Sequence, residues 1–266
     1  MILEKTGLYI DQLQSQGRYT YTREELAQKT GQSTRAIRRA LERLQEKGRI
    51  ALITRGFYVI VPLEYSKSGI LPAEWFIHHL MSYLGLSYYV GLLSAAALHG
   101  AAHQQPQEFQ ILIDKQQRPI LTKGLRLRFL LKKNLGAVSG VIHVKTETGF
   151  MNVSNPELTA LDLMRYSKAV GGLNRVATVL SELAEKIEPA ALLSAVRNDQ
   201  CLAFVQRLGF LLDHLGYESK TRPLSEWVAA QKPFSVLLDP AKPKGRPAFS
   251  KKWMIFVNEA IEADDL

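Results

Sequence analysis

Between residues 32 and 55 the chain carries side chains suited to one kind of chemistry, the recognition of a polyanion. Arg35, Arg38, Arg39 and Arg43 follow one another closely, and Arg49 and Arg55 come soon after. A guanidinium group presents a planar fork of donors that fits a phosphate or the outer edge of guanine. On a helix, Gln32, Thr34, Arg35, Arg38 and Arg39 would reach base edges, with Ser33 beside them at the helix start. Arg43, Arg49 and Arg55 would touch phosphates, which position a protein on DNA without reading its sequence. A second reading stays open. Glu42 lies four residues after Arg38 and Glu46 three after Arg43, so part of this face would serve equally as a salt-bridged solvated surface.

The elements that must position these arginines are written in Thr22 to Lys47, TREELAQKTGQSTRAIRRALERLQEK. Thr22 followed by Glu25 is the capping-box pattern at a helix start. Leu26 and Ala27 supply a short apolar face, Gly31 permits a tight turn, and Ser33 is a good N-cap for the next helix. On that helix Ile37, Ala40, Leu41 and Leu44 fall at the spacing of one buried stripe, which puts Arg35 and Arg39 opposite it and Arg38 and Arg43 on its flanks. After Gly48 come two β-prone runs, 49–54 and 57–61, joined by Arg55-Gly56. Helix, turn, basic helix and hairpin make a winged helix-turn-helix, whose second helix enters the major groove. Residues 1–16 suit the helix that packs behind this pair.

At 266 residues and 46% hydrophobic, the chain can bury a core and is expected to form two domains. Its formal charge is +9; residues 1–62 hold eleven Lys and Arg against six Asp and Glu, +5, so the other 204 residues share +4. That concentration favours a polyanionic partner for the first module. Cys201 is alone, which rules out an intramolecular disulfide, and its apolar surroundings predict a small buried side chain. The chain has no apolar run of membrane-spanning length and no signal-peptide pattern, so a soluble cytoplasmic protein without a membrane partner is expected.

The Pro- and Gly-containing stretch 63–72 is read as a linker between a winged helix at 1–62 and a larger domain at 73–266. The expected class is α/β (α+β), the second domain being mixed, with a small sheet and several helices. Helices are predicted at 73–84, 88–98, 156–166, 173–185, 189–197 and 201–215. Strands are predicted at 109–113, 125–130, 141–146 and 150–153, with short β-prone runs at 234–238 and 253–257 and an acidic, frayed end after 259. Two basic clusters stand out. Residues 115–133 contain Lys115, Arg118, Lys123, Arg126, Arg128, Lys132 and Lys133 without a carboxylate, and residues 242–252 contain five bases, again without one. Each reads as a second polyanion contact, a docking surface for an acidic partner, or a plain solvated face.

Signatures of catalysis are missing: the sequence holds no Gly-rich phosphate loop, no HExxH and no GxSxG. His99 and His103 are four apart but run past a glycine where the helix ends, and no third ligand completes a metal set. The adjacent His78 and His79 point about 100° apart on a helix. Asp162, a single carboxylate on an amphipathic helix, is expected at the surface or in a cap. No catalytic residue and no cofactor are implied.

Further stretches carry a family likeness. Leu92-Leu93-Ser94-Ala95-Ala96-Ala97-Leu98-His99-Gly100, the strand at 109–113, Asn155-Pro156-Glu157-Leu158-Thr159-Ala160-Leu161-Asp162-Leu163, and Leu238-Asp239-Pro240 with residues 253–258 together resemble the AbiEi antitoxin family. The resemblance implies a bacterial toxin–antitoxin role. The winged helix would bind inverted repeats in the promoter of its own operon and repress it. The second domain would neutralise a cognate AbiEii-like nucleotidyltransferase toxin, directly or indirectly. Two other readings remain: a stand-alone winged-helix regulator with a sensing or dimerisation domain, and an enzyme that modifies the toxin.

Overall fold

From Ile2 to Ser15 the chain forms helix α1 in the computed structural model, which describes residues 2–101, 106–197 and 201–262. Strand β1 (Thr20–Thr22), helices α2 (Arg23–Thr30) and α3 (Thr34–Glu46) and strands β2 (Ile50–Thr54) and β3 (Phe57–Ile60) follow. The caps are the expected ones: Thr22 Oγ1 accepts from the Glu25 N–H at 3.1 Å, and Ser33 Oγ accepts from the Ala36 N–H at 3.3 Å. Gly31 closes α2 in the left-handed region at φ 62°. The Glu25 carboxylate also grips Arg18 at 2.5 and 2.6 Å and accepts from Tyr9 Oη at 2.7 Å, joining α1 to α2. Burial pushes that carboxyl up, yet these hydrogen bonds outweigh it and hold it below its ordinary range. Strand β1, too short to stand out in the sequence, pairs antiparallel with β3, and the sheet order is β1-β3-β2.

By internal contacts the chain divides into two units. One comprises Met1–Tyr88, Gln107–Lys133 and His143–Asn152; the other comprises Tyr89–Pro106, Asn134–Ile142 and Val153–Leu266. After β3 the helix expected over 73–84 is interrupted. Residues Ala73–Trp75 form a 3-10 turn, and helix α4 (Ile77–Leu84) starts only after Phe76, at φ −134°. The Trp75 carbonyl accepts from Thr148 Oγ1, a side chain remote in sequence that takes the place of a helical donor. The helix expected over 88–98 is also shorter. Tyr88–Val90 is strand β4, and helix α5 (Leu92–Leu98) begins beyond the extended Gly91. The small residues suggest one helix, but the aromatic and β-branched run before Gly91 prefers a pleated surface.

Strands β5 (Phe109–Ile113), β6 (Ile120–Thr122) and β7 (Leu125–Leu131) form one ladder, β5 parallel and β6 antiparallel to β7. Three-residue β6 is too short for the sequence pattern to reveal. The hairpin strands β8 (Val141–Thr146) and β9 (Gly149–Ser154) follow, with Val90 of β4 opposite Val153 of β9 in parallel register. Helices α6 (Pro156–Arg165), α7 (Leu173–Leu183), α8 (Pro189–Arg197), α9 (Leu202–His214) and α10 (Glu218–Ala230) complete the helical part. The sequence hides α10, because Pro223 lies inside it and a mid-helix proline removes a donor; buried Thr221, Leu224 and Val228 hold it nonetheless. A last sheet joins β10 (Val236–Leu237), β11 (Ala248–Ser250) and β12 (Ile255–Val257) in the order β10-β12-β11. Strand β11 falls in a stretch to which the sequence pattern assigns no element. His103 and the acidic end beyond residue 262 lie outside the described residues.

Helix α6 is buried from Glu157 to Met164, which corrects the expectation for Asp162. That carboxylate is fully buried and accepts from Tyr89 Oη at 2.6 Å. Burial, and then the Asp162 charge, push the Tyr89 phenol well above its ordinary range, so it remains the donor. Cys201 is likewise not a core residue; it is half-buried at the start of α9. Along α9, Gln206 Nε2 donates to the carbonyls of Phe234 at 3.0 Å and Trp253 at 2.9 Å, tying the last sheet to the helix. Trp253 is buried, and its Nε1 donates to Asp213 Oδ2 at 2.7 Å. Its ring lies so close to Gly209 that a Cβ there would come within 2.2 Å of it. The mutation Gly209→Ala is therefore expected to cost about 1–3 kcal/mol through overpacking, read as a lower midpoint in urea. An unchanged midpoint would mean that Trp253 is not seated on α9.

Candidate nucleic-acid interface

The rotation of α3 decides what its arginines can do. Ile37, Ala40, Leu41 and Leu44 are buried, and Ile37, Leu41 and Leu44 share one apolar cluster with Ile10 and Leu13 of α1, Leu26 of α2 and Tyr58 of β3. That packing turns Thr34, Arg35, Arg38, Arg39 and Arg43 outward, and all five are exposed. Arg38 meets Glu42 at 3.6 Å, so the solvated-pair reading holds at that position. Among the described residues Arg35, Arg39 and Arg43 enter no ion pair. Gln32 differs from its neighbours: it is half-buried, and its Oε1 accepts from Thr6 Oγ1 of α1 at 2.8 Å. Arg49 also has an internal task, bridging Asp11 of α1 at 2.6 Å.

Arg55 is exposed at the tip of the β2–β3 hairpin, and the tip itself is braced. Gly56 sits at φ 84°, its carbonyl accepting from the Arg23 N–H at 2.8 Å. Tyr83 Oη of α4 donates to the Arg55 carbonyl at 2.9 Å and lies where a side chain at Gly56 would go. On the other side of the hairpin, Thr122 Oγ1 of β6 donates to the Leu52 carbonyl at 3.1 Å.

The basic run 115–133 is less uniform than its sequence suggests. Arg118, Lys123, Arg126 and Lys133 are exposed, with Lys123 at the β6–β7 turn. Arg128 projects from the same side of β7 as Arg126, but it is half-buried and meets Glu108 at 3.1 Å. Lys132 is 5% exposed and cannot belong to a basic surface, a correction to the expectation. Strand alternation changes phase near the end of β7: Leu127 and Leu130, three residues apart, are both buried, and Leu131 is exposed.

The histidines form a feature of their own. A cavity of about 300 Å³ is lined by Glu74, Trp75, His78, His79, Ser82 and the turn from Thr148 to Phe150. The His78 ring lies 4.3 Å from that of Phe150, with Nδ1 3.2 Å from Tyr88 Oη. His79 Nδ1 is 3.2 Å from Thr20 Oγ1, a link from α4 to β1. Burial and then the charge of His143 press His78 below its ordinary value; burial, His78 and Arg18 do the same to His79. His99 is engaged elsewhere, its Nε2 2.7 Å from the Ser154 carbonyl. Among the described residues no group of three or more His, Cys, Asp or Glu is placed to hold a metal ion, and no helix is long and apolar enough to cross a membrane.

An arginine-bearing helix on a helix-turn-helix with a hairpin behind it, in a chain that continues as mixed strands and helices, has the layout of a winged-helix protein. Residues 89–214 match the model of the AbiEi antitoxin C-terminal domain, which supports an antitoxin role for that segment. Among solved structures the chain is similar to the crystal structure of the RV2827C protein from Mycobacterium tuberculosis. The TM-score is 0.66, over 94% of this chain and 90% of that one, at 14% identity. At that identity the likeness concerns the fold alone. No match was found among curated proteins.

The two depressed histidines have a consequence for stability. In the folded chain they stay neutral below their ordinary value of 6.5, where the unfolded chain takes up protons. Stability should thus fall as pH drops through about 6.5 and level off below the folded values. The mutation His79→Gln is expected to flatten this part of the Tm–pH curve relative to the unaltered chain. Parallel curves for the two proteins would contradict the lowered proton affinity of His79.

Proposed function

We propose that this chain is an antitoxin and also the repressor of its own operon, binding inverted repeats in promoter DNA through residues 1–62. The remaining domain, 73–266 after the linker 63–72, would neutralise a cognate AbiEii-like nucleotidyltransferase toxin. The observation that carries the DNA reading is the exposed face of α3. Arg35 and Arg39, without ion-pair partners among the described residues, lie opposite a fully packed stripe. A solvated helix face would be expected to pair such charges with nearby carboxylates, as Arg38 pairs with Glu42. Thr34, Arg35, Arg38 and Arg39 are assigned to base edges and Arg43 and Arg55 to phosphates. Ser33 caps the helix. Gln32 and Arg49 serve mainly to hold the module together, given their bonds to α1.

The basic run around β6 and β7 fits a further phosphate-binding surface better than a dock for an acidic partner. It lies in the same compact unit as the winged helix, and β6 is bonded directly to wing strand β2. Of its seven bases, Arg128 is offset by Glu108 and Lys132 is buried. Lys123 and Arg126 remain as the central exposed charges, with Arg118 and Lys133 beside them.

Two measurements test these assignments. Arg35→Ala and Arg39→Ala should each weaken operator binding by roughly 1–3 kcal/mol, measured by fluorescence anisotropy, while protection of cells that express the neighbouring toxin survives. Lost protection with operator affinity intact would reverse the division of labour. Replacing Lys123 and Arg126 together by alanine should reduce the slope of log affinity against log salt by about one for each phosphate no longer neutralised. An unchanged slope together with weakened protection would return this surface to the toxin.

A further inference from the structure

The small sheet β10-β12-β11 carries an arrangement that neither operator binding nor the antitoxin role uses. Phe249 on β11 stands directly opposite Phe256 on β12 in antiparallel register. Opposed residues project from the same face, so the two rings lie side by side, with centroids 4.9 Å apart. Phe249 is 40% exposed, an unusual place for a large aromatic ring unless something covers it.

Cations adjoin this pair in the sequence, and one meets it directly. The run from Lys242 to Lys252 holds five bases and no carboxylate. Two are already committed, Lys242 to Glu259 at 2.8 Å and Lys252 to Asp213 at 2.6 Å. Lys244 places its ammonium group 3.6 Å from the centre of the Phe256 ring. Arg246 and Lys251 are exposed and enter no ion pair among the described residues.

The platform is held in place from below. Ile255 and Trp253 are buried, and the Leu238 N–H donates to the Phe256 carbonyl at 2.9 Å. Asn258 fixes the root of the basic loop, accepting from the Asp239 N–H at 3.0 Å and donating to the Asp239 carbonyl at 2.8 Å. A ring held on a braced sheet, with one ammonium group on the neighbouring ring and two further long-stemmed cations close by in the sequence, suits a ligand that has planar faces and phosphates together.

We propose that this face binds single-stranded nucleic acid, with a base stacked on Phe249 and phosphates held by Lys244, Arg246 and Lys251. Paired bases in a duplex hide the faces that such a ring requires, whereas an unpaired strand offers one at every nucleotide. An acidic peptide would satisfy the cations and leave Phe249 uncovered.

The test uses the full-length chain and a fluorescein-labelled oligouridylate about twelve nucleotides long, a length in the range such platforms cover. Phe249→Ala should weaken binding of this probe about fivefold or more, with no change in Tm or in affinity for duplex operator DNA. Phe249→Trp should retain binding, and its added fluorescence should be quenched on titration. Equal affinity of Phe249→Ala and the unaltered chain for oligouridylate would overturn the proposal. So would loss of oligouridylate binding on replacing Arg35 and Arg39 alone, which would assign it to the winged helix. Phe249-dependent binding of polyglutamate without Phe249-dependent binding of oligouridylate would instead mark a dock for an acidic protein.

Discussion

Ile37, Leu41 and Leu44 enter one apolar cluster with Ile10, Leu13, Leu26 and Tyr58, and that packing fixes the rotation of α3 about its own axis. A helix has one free angle when laid on a core, and four apolar positions on one stripe remove it. The outward placement of the arginines depends on this. Had the stripe been rotated by one residue, about 100°, Arg38 would point into the cluster and Ile37 and Leu44 toward water. The stripe is thus a positioning device for charges that never touch it. The other contacts of the module refine the same constraint: Glu25 joins α1 to α2, Arg49 joins β2 to α1, and Tyr83 braces the hairpin tip.

In the second unit a different economy prevails, because its central helix has almost no wet side. Helix α6 buries Glu157, Thr159 and Asp162 along with its apolar residues. Polar groups so placed must be bonded or they destabilise the fold. Each is met by a specific partner: Asp162 by Tyr89 Oη, Thr159 by Ser154, and Glu157 by the N–H of Glu188. Hydrophobic packing alone would leave the register of α6 against its neighbours loosely set. These bonds add directional demands that a slipped helix could not meet.

How legible the fold and the site are in the sequence depends on the range of the interactions concerned. The caps at Thr22 and Ser33, the turn at Gly31 and the stripe of α3 are decided within a few residues, and the sequence carries them openly. Strand 109–113 and helix 156–165 stand out for the same reason. What stays hidden is decided from afar. The helix predicted over 73–84 is cut where Thr148 takes the carbonyl of Trp75. Helix α10 survives Pro223 only because its apolar residues are buried. The basic run at 115–133 reads as uniform because spacing reveals neither Glu108 opposite Arg128 nor the burial of Lys132. Asp162 is expected in water because nothing local to it announces Tyr89. The pairing of Phe249 with Phe256 has no sequence signal, since the sequence pattern assigns no element to β11.

The distribution of positive charge joins these observations. Many of the chain's cations act as internal donors. Lys220 Nζ donates to the carbonyls of Ala184, Glu185 and Ile187, closing the end of one helical segment, and Arg207 Nε donates to the carbonyl of Leu237. Burial lowers the affinity of Arg207 for its proton, yet a guanidinium stays charged under such a shift, which makes it a dependable structural donor. Charges spent in this way contribute nothing to attraction at a distance. The surplus of +9 must then be expressed by the exposed cations that lack carboxylate partners. Several of those group on α3, at the β2–β3 and β6–β7 turns, and in the loop before β11, while others are scattered over the surface. A chain that evolved only for solubility would gain nothing from clustering them, because interspersed signs serve that purpose better. Clusters of one sign gain their value from a partner of the other, and the proposed nucleic-acid contacts would supply one.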